Sequence, residues 1–229
     1  MEFFSLNIDE LNAVVLSLKV ALLCTGISLP LALLIGYALA RYEFAGKALI
    51  ESFMHLPLVM PPVTTGYLLL LLFGSKGLFG AYLYDYFNIK LAFHFGGAVL
   101  AAVVVSFPLM LRSVRTAIEM VDPGYEAASR ILGASATKTF FRITIPLAMP
   151  GILSGLVLSF ARSLGEFGAT ITFAGNIAGE TQTIPLAIYS YMQMPGYEGA
   201  TLRLAFISVF ISLVAMVFSE YFVRRLKKA

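Results

Sequence analysis

The sequence has 229 residues, of which 59% are hydrophobic and only 13% are charged. A soluble domain of this size carries about 25% charged residues, so the composition excludes an ordinary soluble globular protein. The net charge of +3 comes from cations near the ends of apolar runs, which indicates membrane topology and not a nucleic-acid patch. We therefore expect one integral membrane domain, residues 1–229, in contact with the lipid bilayer.

Several apolar runs exceed the ~18 residues that mark a membrane-spanning helix. They predict an all-α membrane protein with about five spans. The first apolar run contains the single cysteine, Cys24, for which we expect a buried and inert thiol. The acidic N-terminus lacks the basic stretch of a cleaved signal peptide, so the first span is expected to direct its own insertion. The predicted spans are 11–40, 48–73, 96–115, 143–161 and 200–223.

The second predicted span contains an adjacent proline pair, Pro61 and Pro62, followed by Thr64 and Thr65. Two prolines remove two helical N–H donors, so they bend or break the helix. Broken helices are tolerated in membranes where neighbours or a watery cavity satisfy the backbone. The span is therefore either a pore-lining helix or a kinked structural helix, and the sequence leaves both interpretations open.

The second half of the chain contains less regular segments. Gly151 and Gly155 are four residues apart in the fourth span, a close-packing pattern that gives weak support to a dimer face. Residues 162–199 are too polar for a lipid-facing span, so part of them is expected to be re-entrant or to line a cavity. Short helices are predicted at YLYDYF, in the connector after the second span, and over residues 184–192.

The distribution of cations predicts the orientation. If the C-terminal tail is cytoplasmic, eleven of the sixteen Lys and Arg residues fall on the inner side. This bias predicts an outside N-terminus, an inside C-terminus and a cytoplasmic loop at 119–142 between spans three and four. The eleven inner cations are Arg41, Lys47, Arg112, Arg115, Arg130, Lys138, Arg142, Arg224, Arg225, Lys227 and Lys228.

The cytoplasmic loop carries signals for a short helix. Asp122 and Pro123 are a good N-cap and first helical residue, and Glu126 favours the positive end of the helix dipole. Gly133 is well placed to end the helix. A second helix is expected to begin near 134–137 and to run into span four. Such a short helix either presents a small knob to a groove on a partner or belongs to an ordinary loop without a partner.

The residues of this loop resemble the EAA signature of ABC-importer permeases. Glu126, Ala127 and Ala128 are followed by Gly133, and the pattern ends in an I-x-x-P run. The interval from Glu126 to the glycine is one residue longer than in the shortest form of the motif, and Ile145 replaces the typical leucine. The resemblance implies that this helix couples the permease to an ATP-binding subunit. The coupling residues it implies are Glu126, Ala127, Ala128, Arg130, Gly133, Ile143 and Pro146.

The resemblance extends over nearly the whole chain. The runs HLPLVMPPVTTGYLLL, SFPLMLRSVRTAIEMVD, SFARSLGEFGATITFAGN and TQTIPLAIY are similar to permeases of the molybdate and sulfate importer group, and the compact length is closer to the molybdate members. It implies the type I ABC-importer permease fold in the bacterial inner membrane, with a cytoplasmic coupling helix. The implied partners are a second copy of the chain, two ATP-binding subunits and a periplasmic oxyanion-binding protein.

An oxyanion needs a polar path, because moving it into hydrocarbon costs on the order of tens of kcal/mol. Hydroxyl groups and backbone amides at broken helices can form such a path. Arg162 and Glu166 are four residues apart, which predicts a structural pair or a gate element in preference to an ion ligand. The pathway candidates are Pro61, Pro62, Thr64, Thr65, Ser163, Glu166 and Thr170.

No motif predicts catalysis in this chain. The nearest match to a P-loop, GASATKT, lacks its second glycine. His55 and His94 lie in separate segments, so we expect no metal site and no cofactor, and no nucleophile has a paired base. The leading hypothesis is the pore subunit of a molybdate importer driven by separate ATPases. The alternatives are a tungstate or sulfate/thiosulfate importer permease, a stand-alone channel or ion-coupled transporter, and a membrane enzyme.

Overall fold

The computed structural model describes residues 6–226, and every regular element within that range is helical, as predicted. The elements are α1 (Ile8–Arg41), α2 (Lys47–Val59), α3 (Pro62–Phe73), α4 (Gly80–Phe87), α5 (Phe95–Glu119), α6 (Pro123–Ile131), α7 (Ala136–Thr139), a π-helical turn (Phe140–Thr144), α8 (Ile145–Leu164), α9 (Gly168–Phe173), α10 (Ile184–Tyr191) and α11 (Glu198–Leu226). Lys227 and Lys228 of the predicted inner tail lie outside the described residues.

Among the described residues, four helical runs are long and apolar enough to cross a membrane. They are α1, α5, the continuous run from α7 through α8, and α11. A fifth crossing exists if α2 and α3 together form one span. These runs agree with the prediction of about five spans.

The proline pair breaks the second predicted span and does not merely kink it. The axes of α2 and α3 are bent by 115° at a break between Val59 and Pro62. Neither Pro61 nor Pro62 has an N–H group, so the ladder of helical hydrogen bonds cannot cross this point. A new ladder starts beyond it, where the N–H groups of Thr64 and Thr65 donate to the carbonyl of Pro61 at 2.9 and 3.2 Å.

The third span extends four residues beyond its predicted end at position 115. Its helix continues to Glu119 because charged side chains at its end pair with one another. Arg115 donates to the Glu119 carboxylate at 2.7 Å, and its Nη1 lies 2.8 Å from Glu51 of α2. The pair between Arg115 and Glu51 connects α2 to α5, although no residue of α2 is fully buried. α2 therefore lies at the edge of the bundle.

The centre of the bundle lies where α1, α5 and α8 pack together. Ala32, Met110 and Ile152 belong to one buried cluster at this junction. A Cβ atom on Gly151 would lie 2.4 Å from the Cβ of Ala117, and α5 approaches Gly155 closely as well. The glycine pattern in α8 therefore serves packing against α5 within the chain, and its interpretation as a dimer face is wrong.

Three smaller predictions are confirmed. The Cys24 thiol is buried, and its sulfur lies 3.0 Å from the Ser106 hydroxyl of α5. The YLYDYF segment lies within α4, and the helix predicted near 184–192 is α10. Between α8 and α10, the polar segment forms only the six-residue α9, which is too short to cross a bilayer.

Candidate functional site

α6 is a short helix with a defined start and end. The Asp122 carboxylate accepts a hydrogen bond from the Gly124 N–H at 2.8 Å, which caps the first turn as predicted. Gly133 has a φ of +84°, a conformation that glycine adopts without strain. The N–H groups of Gly133 and Ala134 donate back to Arg130 and Ser129, as in a Schellman motif. α6 therefore lies between two sharp turns.

A buried polar joint fixes α6 to the rest of the molecule. Oε1 of Glu126 accepts from Nε and Nη2 of Arg41 at 3.1 and 3.0 Å, and from the Thr144 hydroxyl at 2.8 Å. Nη2 of Arg41 also donates to the Val121 carbonyl at 2.9 Å. The side chains of Arg41 and Glu126 are only 12% and 8% exposed. We call these four residues the coupling joint, because they join the end of α1, α6 and the start of α8.

Large apolar side chains of α6, of its C-cap and of the following π-helical turn are exposed to solvent. Ile131 and Leu132 are 86% and 88% exposed at the end of the helix, and Tyr125 and Phe141 are also exposed. Large apolar side chains that are exposed in and near a short helix are typical of a surface that is covered by a partner. We call Tyr125, Ile131, Leu132 and Phe141 the apolar knob.

The coupling residues implied by the EAA resemblance fall into two groups. Glu126 is buried in the coupling joint and does not reach the surface, whereas Ala127, Ala128 and Arg130 are exposed on α6. Gly133 is exposed at the turn that ends α6, Ile143 is partly buried in the π-helical turn, and Pro146 is exposed near the start of α8.

The broken helices bring the two predicted pathway segments together. A Cβ atom on Gly66 of α3 would lie 2.7 Å from the Ala169 carbonyl of α9, and one on Gly168 would lie 2.8 Å from Pro62. α3 and α9 therefore pack with their backbones in close approach. Pro61, Pro62 and Thr64 are exposed beside this contact, while Thr65, Ser163, Glu166 and Thr170 are buried.

Glu166 is the central polar group of this second region. Its side chain is 2% exposed, and Oε2 lies 2.6 Å from Nη1 of Arg162, which confirms the predicted pairing. Oε1 accepts from the Ala169 N–H at 2.8 Å and so satisfies a backbone donor in the first turn of α9. The geometry makes Glu166 a structural link between α8 and α9.

Sequence reasoning missed the long-range partners of two charged residues, Glu126 and Arg115. Arg41 and Thr144 are 85 and 18 residues from Glu126 along the chain. No local spacing connects three such distant positions, although a cation at the end of a span next to a cytoplasmic acid was a usable signal. The pair between Arg115 and Glu51, which connects α5 to α2, was missed for the same reason.

The fold and the short helix between two long spans define a class of membrane transport protein. Residues 28–228 match the family described as "Binding-protein-dependent transport system inner membrane component". The chain belongs to this family, and it is therefore a component of the bacterial inner membrane.

Individual relatives narrow the class. The chain is 52% identical over 219 residues to the "Molybdenum transport system permease protein ModB" of Haemophilus influenzae, with 96% of each chain covered. It is 37% identical over 169 residues to the "Sulfate transport system permease protein CysT" of Escherichia coli, covering 74% of this chain and 61% of that protein. A bacterial ABC transporter of alginate has a similar fold, with a TM-score of 0.77 at 18% identity over 96% of this chain and 80% of that one.

Proposed function

We propose that this chain is the pore subunit of an ATP-driven importer that moves molybdate across the inner membrane by alternating access. The observation that carries the choice of substrate is the 52% identity, over nearly the full length of both chains, to a molybdenum transport permease. The lower identity to a sulfate permease makes sulfate the second candidate. Both are tetrahedral dianions, so both need the same kind of polar path through the bilayer.

The coupling joint and the apolar knob support the ATP-driven mechanism. The apolar knob, which includes residues of a short helix, is suited to insertion into a groove of an ATP-binding subunit. Because Glu126 connects α6 to α1 and to the start of α8, a displacement of α6 would move both long helices with it. The residues that couple this displacement to the ATP-binding subunits are Glu126, Ala127, Ala128, Arg130, Gly133, Ile143 and Pro146.

The complete assembly contains two copies of this chain, two ATP-binding subunits and a periplasmic oxyanion-binding protein. ATP is hydrolysed in the ATP-binding subunits. The α3–α9 region supplies the pathway, in which exposed Pro61, Pro62 and Thr64 face the translocated ion. The buried members, Thr65, Ser163, Glu166 and Thr170, hold the broken helices in position.

Reconstitution into vesicles tests the proposal. The chain with its ATP-binding subunits and binding protein is expected to accumulate molybdate when ATP is supplied, and the chain alone is expected to accumulate none. Glu126→Lys and Gly133→Pro are expected to weaken co-purification with the ATP-binding subunits and to abolish ATP-driven uptake. Uptake by the chain alone would favour the stand-alone transporter. Stronger competition by sulfate than by tungstate would favour the sulfate permease.

A further inference from the structure

A cavity of about 350 Å³ lies between α2 and α5, and its lining includes no residue of the coupling joint, of α3 or of α9. It is lined by the start of α2 and the end of α5, the ends that the charge bias predicts to be cytoplasmic. Its volume corresponds to roughly ten water molecules at ~30 Å³ each, so it is roomy enough for a hydrated small ion. Its lining residues are Glu51, Ser52, His55, Arg112, Arg115, Thr116 and Glu119.

The charges that line this cavity are not equivalent. Arg115 is committed to two carboxylates, with its guanidinium 2.8 Å from Glu51 and 2.7 Å from Glu119. No residue within 6–226 forms an ion pair with Arg112, whose side chain is exposed. Arg112 is therefore the one cavity cation whose donors are uncommitted among the described residues.

The other donors around Arg112 can be sorted by their hydrogen bonds. Thr116 lies one turn further along α5, is exposed and lines the same cavity. The Ser52 hydroxyl already donates to the Ala48 carbonyl at 2.8 Å. Nδ1 of His55 lies 2.7 Å from the Glu51 carbonyl and must donate to it, so Nε2 of the neutral ring carries no proton. When the His55 ring is neutral, Arg112 and Thr116 are thus the available side-chain donors of the lining.

We propose that Arg112 and Thr116 form a low-affinity binding site for a tetrahedral oxyanion on the predicted cytoplasmic side of the protein. The planar guanidinium presents two parallel N–H groups, which match two oxygens of such an anion, and the Thr116 hydroxyl donates to a third. The two carboxylates on Arg115 leave the cavity without net positive charge. This keeps the affinity low, as an ion that must be released requires. The site rests on the proposed function, because oxyanion transport supplies its ligand.

The test uses the full transporter and one reporter thiol introduced into this chain. Cys24 is the only cysteine and is buried, so Ser52→Cys adds one accessible thiol to the cavity wall. We expect molybdate to slow modification of this thiol by a small maleimide with a saturating dose response, and chloride at equal ionic strength not to do so. In the Arg112→Gln background, half-protection should require at least about tenfold more molybdate. Arg112→Lys should give a smaller shift, because it keeps the charge and loses only the two parallel N–H donors.

Two controls separate this site from other effects. Ser75→Cys lies in an exposed loop outside the cavity, and its modification should not respond to molybdate. Arg224→Gln removes an exposed cation at the same predicted side of the membrane and should leave the protection of Ser52→Cys unchanged. Equal protection by chloride, unchanged protection in Arg112→Gln, or a Ser52→Cys thiol that does not react at all would each overturn the site. If the unmodified transporter accumulates molybdate and protection is absent, the site fails and the proposed function stands; if it accumulates none, the proposed function fails.

Discussion

Each functional region contains one buried glutamate paired with an arginine, and the two pairs have different structural roles. Glu126 pairs with Arg41 at the end of α1, 85 residues away, and accepts a hydrogen bond from the Thr144 hydroxyl in the turn before α8. Glu166 pairs with Arg162, one turn earlier in the chain, and its other oxygen accepts a hydrogen bond from a backbone N–H of α9. The first glutamate fixes the relative position of three elements, whereas the second shapes a local break between two helices. Long-range transmission is therefore expected at Glu126 and local positioning at Glu166.

The largest effect is expected from removing the acid of the coupling joint. Glu126→Ala leaves the buried Arg41 guanidinium without its carboxylate, which costs about 3–5 kcal/mol when one partner of a buried pair is deleted. Thermal unfolding in detergent measures the loss of stability. The double variant Glu126→Ala, Arg41→Met removes the uncompensated charge, so it should be less unstable than the sum of the two single variants. Additive effects would contradict the joint.

A smaller effect is expected at Glu166. Glu166→Gln keeps an oxygen for the Ala169 N–H and loses only the attraction to Arg162, which is 30% exposed and remains hydrated. Glu166→Ala also leaves the amide without its acceptor, which costs about 1–3 kcal/mol. Unfolding midpoints should therefore follow the order native, Gln, Ala. Equal destabilisation by Gln and Ala would show that the ion pair matters more than the backbone link.

The contact between α3 and α9 is tested by adding one methyl group. In Gly66→Ala the new Cβ lies 2.7 Å from a backbone carbonyl, so the helices must separate, at about 1–3 kcal/mol. Gly26→Ala is the matched control, because no heavy atom lies within 4 Å of its Cβ position and alanine favours the helix. ATP-driven uptake and thermal stability should fall only in Gly66→Ala. Equal behaviour of the two variants would contradict close packing at the break.

The smallest effect on stability is expected at the apolar knob. Leu132→Gln alters a side chain that is 88% exposed, so the free energy of unfolding should change by no more than about 0.5 kcal/mol. Its affinity for the ATP-binding subunits should nevertheless fall by about tenfold or more, as for an apolar anchor at an interface. Tyr82→Gln on α4 changes a side chain that is also exposed, but in another region, and serves as the control. Titration of the ATP-binding subunits onto immobilised permease measures the difference.

The amino-acid sequence by itself determined the features that depend on short separations. The long apolar runs predicted the spans, the Asp122–Pro123 start and Gly133 stop predicted α6, and the i,i+4 spacing predicted the pairing of Arg162 with Glu166. Backbone hydrogen bonds and caps act within a few residues, so local patterns are sufficient to identify them.

Only the tertiary structure decided which distant groups meet. The attachment of Glu126 to Arg41 and Thr144 and the packing of Gly151 against α5 depend on how the helices cross. So does the absence of an ion-pair partner for Arg112 within residues 6–226. In a membrane, neighbouring helices and lipid are equally apolar, so hydrophobicity identifies a span without specifying its neighbours. Close backbone approach and buried hydrogen bonds make that selection, and both become visible only in the folded chain.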